Sequence, residues 1–155
     1  MSGKRGEKLL PAKASLRYGQ TFFMIKPDAV RERHVGEILE RIERRGFRIR
    51  TLKIFRFNKQ LVCEFYAEHT KKEWFHSLMS FMLSGDCVAV IVEGEEAVSR
   101  MRRLIGATDP TKAKRGTLRK LFGHSGASNA VHGSDSWESA EREIGLLFPD
   151  FDLES

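Results

Sequence analysis

Runs of apolar residues along the chain predict four strands. Residues 21–26 form a short, mostly apolar run that Pro27 ends, and residues 87–92 are apolar throughout, as in a central strand covered on both faces. Residues 47–57 alternate in part between apolar and polar side chains, which is typical of a strand with one exposed face. We expect a fourth, short strand at residues 129–132.

Apolar residues at helical spacing predict helices between these strands. One set recurs at i, i+3, i+4 and i+7: Val35, Ile38, Leu39 and Ile42. Gly46 follows where a helix should end. Asn58 is a suitable N-cap for the next helix. Further helices are expected over residues 73–83 and 95–105, and a last one after the capping-box pattern Asp135-x-x-Glu138.

The order of these elements is β-α-β-αα-β-α-loop-β-α, which predicts an α/β protein of the α+β sandwich type. We expect a ferredoxin-like split βαβ fold whose four-stranded sheet is mainly antiparallel, with helices on one face. Residues 106–128 show little periodicity and are expected to form a loop. A loop of this length in a small domain is usually functional.

Charge and length suggest one domain with a basic extension. The chain has 155 residues, as expected for a single domain, and a net charge of +6. Residues 1–20 hold five basic side chains and one acidic one, so they carry +4 of this charge. We predict a flexible basic arm at residues 1–20 and a folded domain at residues 21–155. The basic balance alone is therefore weak evidence for nucleic-acid binding.

The apolar runs and the cysteines bear on location. No run approaches the roughly 20 residues of a membrane span, so no membrane contact is expected. Residues 1–20 have no apolar segment typical of a signal peptide, which favours a cytoplasmic protein, with a transit peptide as the alternative. Cys63 and Cys87 are expected to be buried, reduced thiols, and a disulfide between them is the alternative.

The segment Asn129-Ala-Val-His-Gly-Ser-Asp135 carries the clearest candidate chemistry. It places His132 at the end of a strand, and the glycine after it leaves room for a substrate. A neutral imidazole is a competent nucleophile near pH 7 when a partner holds its other nitrogen. Glu143, in the last predicted helix, is the candidate partner. The alternative is a histidine whose nitrogens are satisfied by local hydrogen bonds.

Other polar and aromatic residues are candidates for a phosphate and base pocket. Guanidinium groups suit phosphate oxygens, and planar rings suit a base. The candidates are Lys26, Arg102, Thr108 and Arg119 for phosphate, and Tyr66, His69 and Trp74 for an aromatic wall. Each has an ordinary alternative, namely a solvated charge or a ring used in packing.

Five segments together resemble the nucleoside diphosphate kinases from about residue 20 to residue 148. They are Met24-Ile-Lys-Pro-Asp-Ala-Val30, Gly106-Ala-Thr-Asp-Pro110, Gly116-Thr-Leu-Arg119, Asn129-x-x-His-Gly-Ser-Asp-Ser136 and Glu138-Ser-Ala-Glu-x-Glu-Ile144. The resemblance implies a ping-pong reaction. His132 would take the terminal phosphate of a nucleoside triphosphate, chiefly ATP, and pass it to a nucleoside diphosphate.

The resemblance also implies roles for the other candidates. Lys26 and Asn129 would bond the ribose, with Lys26 also near the transferred phosphate. Arg102, Thr108 and Arg119 would hold the phosphates, Tyr66 and His69 would line their site, and Trp74 would stack on the base. Glu143, supported by Ser134, would orient His132. Mg²⁺ would bridge phosphate oxygens, with no protein side chain as its ligand.

At two positions, among others, the sequence departs from the pattern of the family, and the resemblance also implies partners for the chain. Gly126 stands where the family has an apolar residue over the base, and Ser128 replaces a common arginine. We expect a homo-oligomer, a hexamer first, with tetramer or dimer as alternatives, and no requirement for nucleic acid. The alternative function is a non-catalytic relative that binds nucleic acid or protein through its basic arm, with an affinity that falls steeply with salt.

Overall fold

A four-stranded antiparallel sheet organises residues 18–153, the part of the chain that this computed structural model describes. The strands are β1 (Tyr18–Ile25), β2 (Arg48–Phe55), β3 (Cys87–Glu95) and β4 (Val131–Gly133), in the spatial order β2-β3-β1-β4. The predicted fold class is confirmed. Residues 1–17 of the predicted basic arm lie outside the described residues.

Strand β1 is central and longer than the apolar pattern indicated. It pairs with β3 from Tyr18 opposite Glu95 to Ile25 opposite Val88. Its first three residues are paired although they are not apolar, which is why the pattern placed the start at residue 21. On its other side β1 pairs with β4, with Met24 opposite His132. Strand β4 spans residues 131–133 instead of 129–132.

Seven α-helices connect and flank the strands within residues 18–153. They are α1 (Pro27–Arg31), α2 (Val35–Arg44), α3 (Lys59–Phe65), α4 (Phe75–Met82), α5 (Ala97–Ile105), α6 (Leu118–Phe122) and α7 (Trp137–Leu147). Single 3₁₀ turns span Ala67–His69 and Pro110–Lys112. None of the helices in this region is both long and apolar enough to cross a membrane.

Local capping explains where the helices differ from the sequence pattern. The short helix α1 was not predicted, but Pro27 suits its first turn because proline has no amide hydrogen to lose there. Helix α6 interrupts the predicted loop and is capped by Thr117, whose hydroxyl accepts from the amide of Lys120. At α7 the cap is Ser136, which accepts from the amide of Ser139, and the prediction of Asp135 as the cap was wrong.

Helices cover both faces of the sheet, so the prediction that they cover one face was wrong. Side chains alternate along β1 and β3 and therefore supply two apolar cores. One core joins Phe23, Ile25, Val88, Val90 and Val92 to α2 and α5, and the other joins Phe22, Met24, Ala89 and Ile91 to α3, α4 and α7. Two cores clamp β1, which fixes the position of its carboxyl end.

The cysteines differ in their surroundings. Both are free, but Cys63 on α3 is exposed, which contradicts its predicted burial, while Cys87 at the start of β3 is buried. Burial raises the pKa of the Cys87 thiol to about 12. The alternative disulfide between Cys63 and Cys87 is not formed in this structure.

Gly106 provides a test of this fold, because it ends α5 with a φ of 90° and lies against Thr117. A Cβ atom at residue 106 would lie 2.6 Å from the Thr117 hydroxyl oxygen. We expect Gly106→Ala to lower the free energy of unfolding by about 2 kcal/mol. The matched control is Gly36→Ala in α2, where a Cβ meets nothing within 4 Å. Its effect should be neutral or stabilising by up to ~1 kcal/mol. Equal stabilities of the two variants in urea unfolding would contradict this account.

Candidate functional site

A cavity of about 550 Å³ opens where β1 and β4 end. Its walls come from these strands, from α3, α4 and α7, and from the segment between α5 and β4. It is lined by ten of the predicted site residues: Lys26, Tyr66, His69, Trp74, Arg102, Thr108, Arg119, Asn129, His132 and Glu143. Ser134, the remaining predicted residue, is buried beside Glu143. The tertiary structure therefore brings the predicted residues together.

His132 on β4 is held by a carboxylate. Its Nε2 lies 2.6 Å from Oε1 of Glu143, which α7 supplies from the buried side of the helix. The Ser134 hydroxyl donates to the same oxygen at 3.0 Å. Because a carboxylate accepts, Nε2 carries the ring proton and Nδ1 keeps its lone pair. Within residues 18–153 no hydrogen bond occupies Nδ1, so this nitrogen is available to react.

The surroundings of His132 keep its ring neutral. The rings of Phe65, Phe22 and Tyr66 lie within 5.1 to 6.4 Å of its centroid. Burial lowers the pKa of His132 below its usual 6.5, and the bond to Glu143 opposes this shift without cancelling it. A neutral imidazole at physiological pH is what nucleophilic attack requires.

Three cations line the cavity without a carboxylate partner within the described residues. The Nζ of Lys26 donates to Asn129 Oδ1 at 2.9 Å. Arg119 donates to the backbone oxygens of Gly106 and Val131, and Arg102 donates to that of Gly133. These bonds orient the cations, and since none of the three forms an ion pair within residues 18–153, the cavity is suited to anions.

The pKa values of two of these cations are lowered by their surroundings. Burial, then the charge of Arg119, lowers the pKa of Lys26 to about 8. Burial, then the charge of Arg102, lowers the pKa of Arg119 to about 10. Both groups are therefore destabilised as cations, and an anion between them would oppose this effect.

Several buried polar atoms at the cavity have no hydrogen-bond partner among the residues described. They are the Tyr66 hydroxyl, His69 Nδ1 and Arg119 Nε. Desolvation also raises the pKa of Tyr66, so its hydroxyl keeps its proton and can donate. Buried polar atoms are usually paired, and these three would find partners in a polar ligand.

An aromatic surface lies at the outer part of the cavity. Trp74 is 49% exposed, with the ring of His69 at 5.1 Å and Lys72 Nζ at 5.9 Å from its own. Gly126 also lines the cavity, and a Cβ placed there would meet nothing within 4 Å. The cavity thus offers a planar ring for stacking and open space at Gly126.

Comparison with known proteins identifies the family. The model of the family described as nucleoside diphosphate kinase matches residues 19–153. The chain belongs to the nucleoside diphosphate kinase family. The kinase of Exiguobacterium sibiricum is 50% identical over 129 residues, which cover 83% of this chain and 94% of the relative. That of Nocardia farcinica is 50% identical over 133 residues, 85% of this chain and 96% of the relative.

Solved structures agree with this assignment. The nucleoside diphosphate kinase of Aquifex aeolicus matches with a TM-score of 0.82 at 41% identity, over 84% of this chain and 95% of that one. A halophilic member from Halobacterium salinarum, solved in complex with CDP, matches with a TM-score of 0.82 at 40% identity, over 86% and 89%. The predicted family and the predicted nucleoside diphosphate kinase activity are confirmed.

Sequence reasoning gave no role at the cavity to two carboxylates of this kinase fold. Asp135 lines the cavity, and its Oδ1 accepts from the Ser139 hydroxyl, which lowers the pKa of the carboxyl group. Asp28 is buried beside the cavity and binds the segment before β4. Both aspartates lie inside motifs quoted for the family, but neither spacing nor periodicity shows what a carboxylate will bind.

The pKa of His132 provides a test of this geometry. We expect NMR titration to give a value below 6.5, because burial outweighs the pull of Glu143. Since the unfolded state binds the proton more tightly, stability should fall as the pH drops below 6.5. Glu143→Gln should lower the pKa of His132 further, because it removes the negative charge that favours the imidazolium. A rise in that variant, or a value above 6.5 in the unmodified protein, would contradict this account.

Proposed function

We propose that the chain transfers the terminal phosphate of a nucleoside triphosphate, chiefly ATP, to a nucleoside diphosphate, with His132 as the phosphorylated residue. The observation that carries this assignment is the 2.6 Å contact between His132 Nε2 and Glu143, which leaves Nδ1 free. The cavity around it is lined by Lys26, Arg102 and Arg119, which form no ion pair within residues 18–153. Family membership supports the reaction, and the geometry supports the roles of the residues.

The reaction proceeds in two displacements. In the first, the Nδ1 lone pair attacks the terminal phosphorus, a P–N bond forms, and the bond from this phosphorus to the bridging oxygen breaks. The nucleoside diphosphate leaves with that electron pair. In the second, the terminal oxygen of another diphosphate attacks the phosphohistidine and the P–N bond breaks. The Nε2 proton remains on the ring and donates to Glu143 throughout. The carboxylate thereby stabilises the positive charge that the ring gains.

The cations hold the phosphates during both displacements. Lys26, Arg102 and Arg119 supply positive charge, while Thr108 and Tyr66 supply hydroxyls. Such transfers need positioning and charge neutralisation more than covalent help. Guanidinium and ammonium groups suit phosphate oxygens. Mg²⁺ would enter with the nucleotide, held by its phosphates and not by a protein side chain, and would neutralise part of their charge.

The nucleoside is held by few specific contacts. Trp74, which is half exposed, would stack on the base, and Lys26 with its partner Asn129 would bond the ribose hydroxyls. Stacking discriminates poorly between bases because each base has a planar face. The open space at Gly126 leaves the other face of the base less covered. This arrangement favours a broad choice of nucleotides.

We further propose a cytoplasmic homo-oligomer, a hexamer first. The free thiols of Cys63 and Cys87 fit a reducing compartment. Strand β2 lies at the edge of the sheet and exposes Leu52 and Ile54, the latter by 69%. An edge strand with exposed apolar residues is a natural contact between chains. Neither nucleic acid nor a membrane is required for the reaction.

Labelling of the protein tests the assignment of His132. Incubation with γ-labelled ATP and Mg²⁺ should give an acid-labile, alkali-stable label that moves to an added nucleoside diphosphate. His132→Ala should take up no label and lose activity by a factor of at least about 10³ while remaining folded, because no other group replaces the nucleophile. The matched control is His124→Ala, which removes an exposed histidine and should label normally. Turnover by the first variant would remove His132 from its role.

The mass of the particle tests the oligomer. Light scattering should give six chains of 17.8 kDa each, with four or two as the alternatives. Ile54→Lys should shift the distribution toward smaller particles, because it places a charge in the proposed contact. Trp137→Lys is the control, since Trp137 is 44% exposed but lies on α7 and not on an edge strand. A monomer at micromolar concentration would contradict the proposal.

A further inference from the structure

A strained turn at Ala130 joins two parts of the catalytic cavity. Ala130 has a φ of 74° and is fully buried. The amide of Val131 donates to the oxygen of Asn129 at 2.9 Å, which closes a three-residue turn around it. A turn of this kind with positive φ is rare and strained for any residue other than glycine. Something in the surrounding structure must therefore hold it.

The restraint comes from the start of α1. The Oδ2 atom of Asp28 accepts the amide hydrogen of Ala130 at 3.0 Å and the hydroxyl hydrogen of Ser128 at 3.0 Å. On the other side, the oxygen of Ala130 accepts from the backbone amide of Lys26 at 2.8 Å. Both backbone polar atoms of Ala130 are thus bound by residues 26–28. Because Asp28 is only 4% exposed, water competes little for its carboxylate.

The turn sets the relative positions of two functional residues. Asn129 precedes it, and its side chain contacts Lys26 Nζ and the oxygens of Thr108 and Gly126. His132 follows it by two residues, in register with β1. If Ala130 relaxed to a right-handed conformation, the chain direction between Asn129 and His132 would change. The groups that hold the nucleotide would then be displaced from the nucleophile.

We propose that Asp28 is a positioning residue for phosphoryl transfer, because its carboxylate holds the left-handed turn at Ala130 and so aligns Asn129 with His132. The carboxylate itself does not line the cavity. This inference rests on the proposed role of His132.

The experiment measures single-turnover phosphorylation of His132 by saturating γ-labelled ATP, with folding of each variant checked by circular dichroism. Asp28→Ala removes the acceptor, and we expect the rate to fall ~30-fold, since small misplacements of reacting groups cost this much. Asp28→Asn keeps the shape and one acceptor oxygen but loses the charge, and should stay within about 3-fold of the unmodified protein.

The deciding variant is the double substitution Asp28→Ala with Ala130→Gly. Glycine adopts positive φ without strain, so the turn should form without the carboxylate. We expect the double variant to recover at least about 5-fold over Asp28→Ala. A general loss of packing would not be repaired by a smaller side chain.

The matched control is Glu32→Ala. It removes another carboxylate contact to the segment between α5 and β4, namely the exposed pair of Glu32 with His124 at 2.7 Å. Its rate should be unchanged.

Three outcomes would overturn the proposal. The first is a normal rate in Asp28→Ala, and the second is no recovery on adding Ala130→Gly. The third is a rate in Asp28→Asn as low as in Asp28→Ala, which would mean that the charge of Asp28 acts on Lys26 instead. If Asp28→Ala does not fold, recovery of folding and labelling in the double variant still supports the proposal. If neither folds, the rate of Asp28→Asn decides. Absence of label on His132 in the unmodified protein would instead refute the proposed function.

Discussion

The pairing of β1 with β3 on one side and β4 on the other is the constraint on which the rest of this structure depends. Four residues of β1 are fully buried between two apolar cores, namely Phe22, Phe23, Met24 and Ile25. A shift of β1 along its neighbours would therefore move apolar side chains out of these cores. Its carboxyl end delivers Lys26 to the cavity, and its register with β4 places His132 opposite Met24. Both side chains are thus positioned by backbone hydrogen bonds at one end of the sheet.

Lys26, Arg102 and Arg119 bring positive charge to the cavity, and none of them forms an ion pair among the described residues. Lys26 and Arg119 are buried, and the lowered pKa values of about 8 and 10 reflect the cost of keeping charged groups there. A cluster of this kind does not stabilise the folded chain. Its physical justification is a ligand that carries the opposite charge, because bringing phosphates between these groups removes the repulsion and the desolvation cost together.

The segment between α5 and β4 is ordered by its own polar contacts and by Arg119. Asp109 caps a 3₁₀ turn and Thr117 caps α6, so short stretches of helix form where no apolar period exists. Arg119 then bonds the oxygen of Gly106 at the start of the segment and that of Val131 just after its end. One guanidinium group therefore closes the segment over the cavity, while its Nε has no hydrogen-bond partner among residues 18–153.

The order and type of the elements followed from the sequence, since the apolar runs of β1 and β3 and the helical period from Val35 to Ile42 report local burial directly. The motif around His132 likewise identified the family, because those residue types recur at fixed spacing. Other features needed the tertiary structure. The placement of helices on both faces of the sheet came from packing that no single segment encodes, and so did the exposure of Cys63. Helices α1 and α6 have five residues each, too few to show a period. The contact of Asp28 with Ala130 spans 102 positions of the chain, and only the folded sheet brings such distant groups within hydrogen-bond distance.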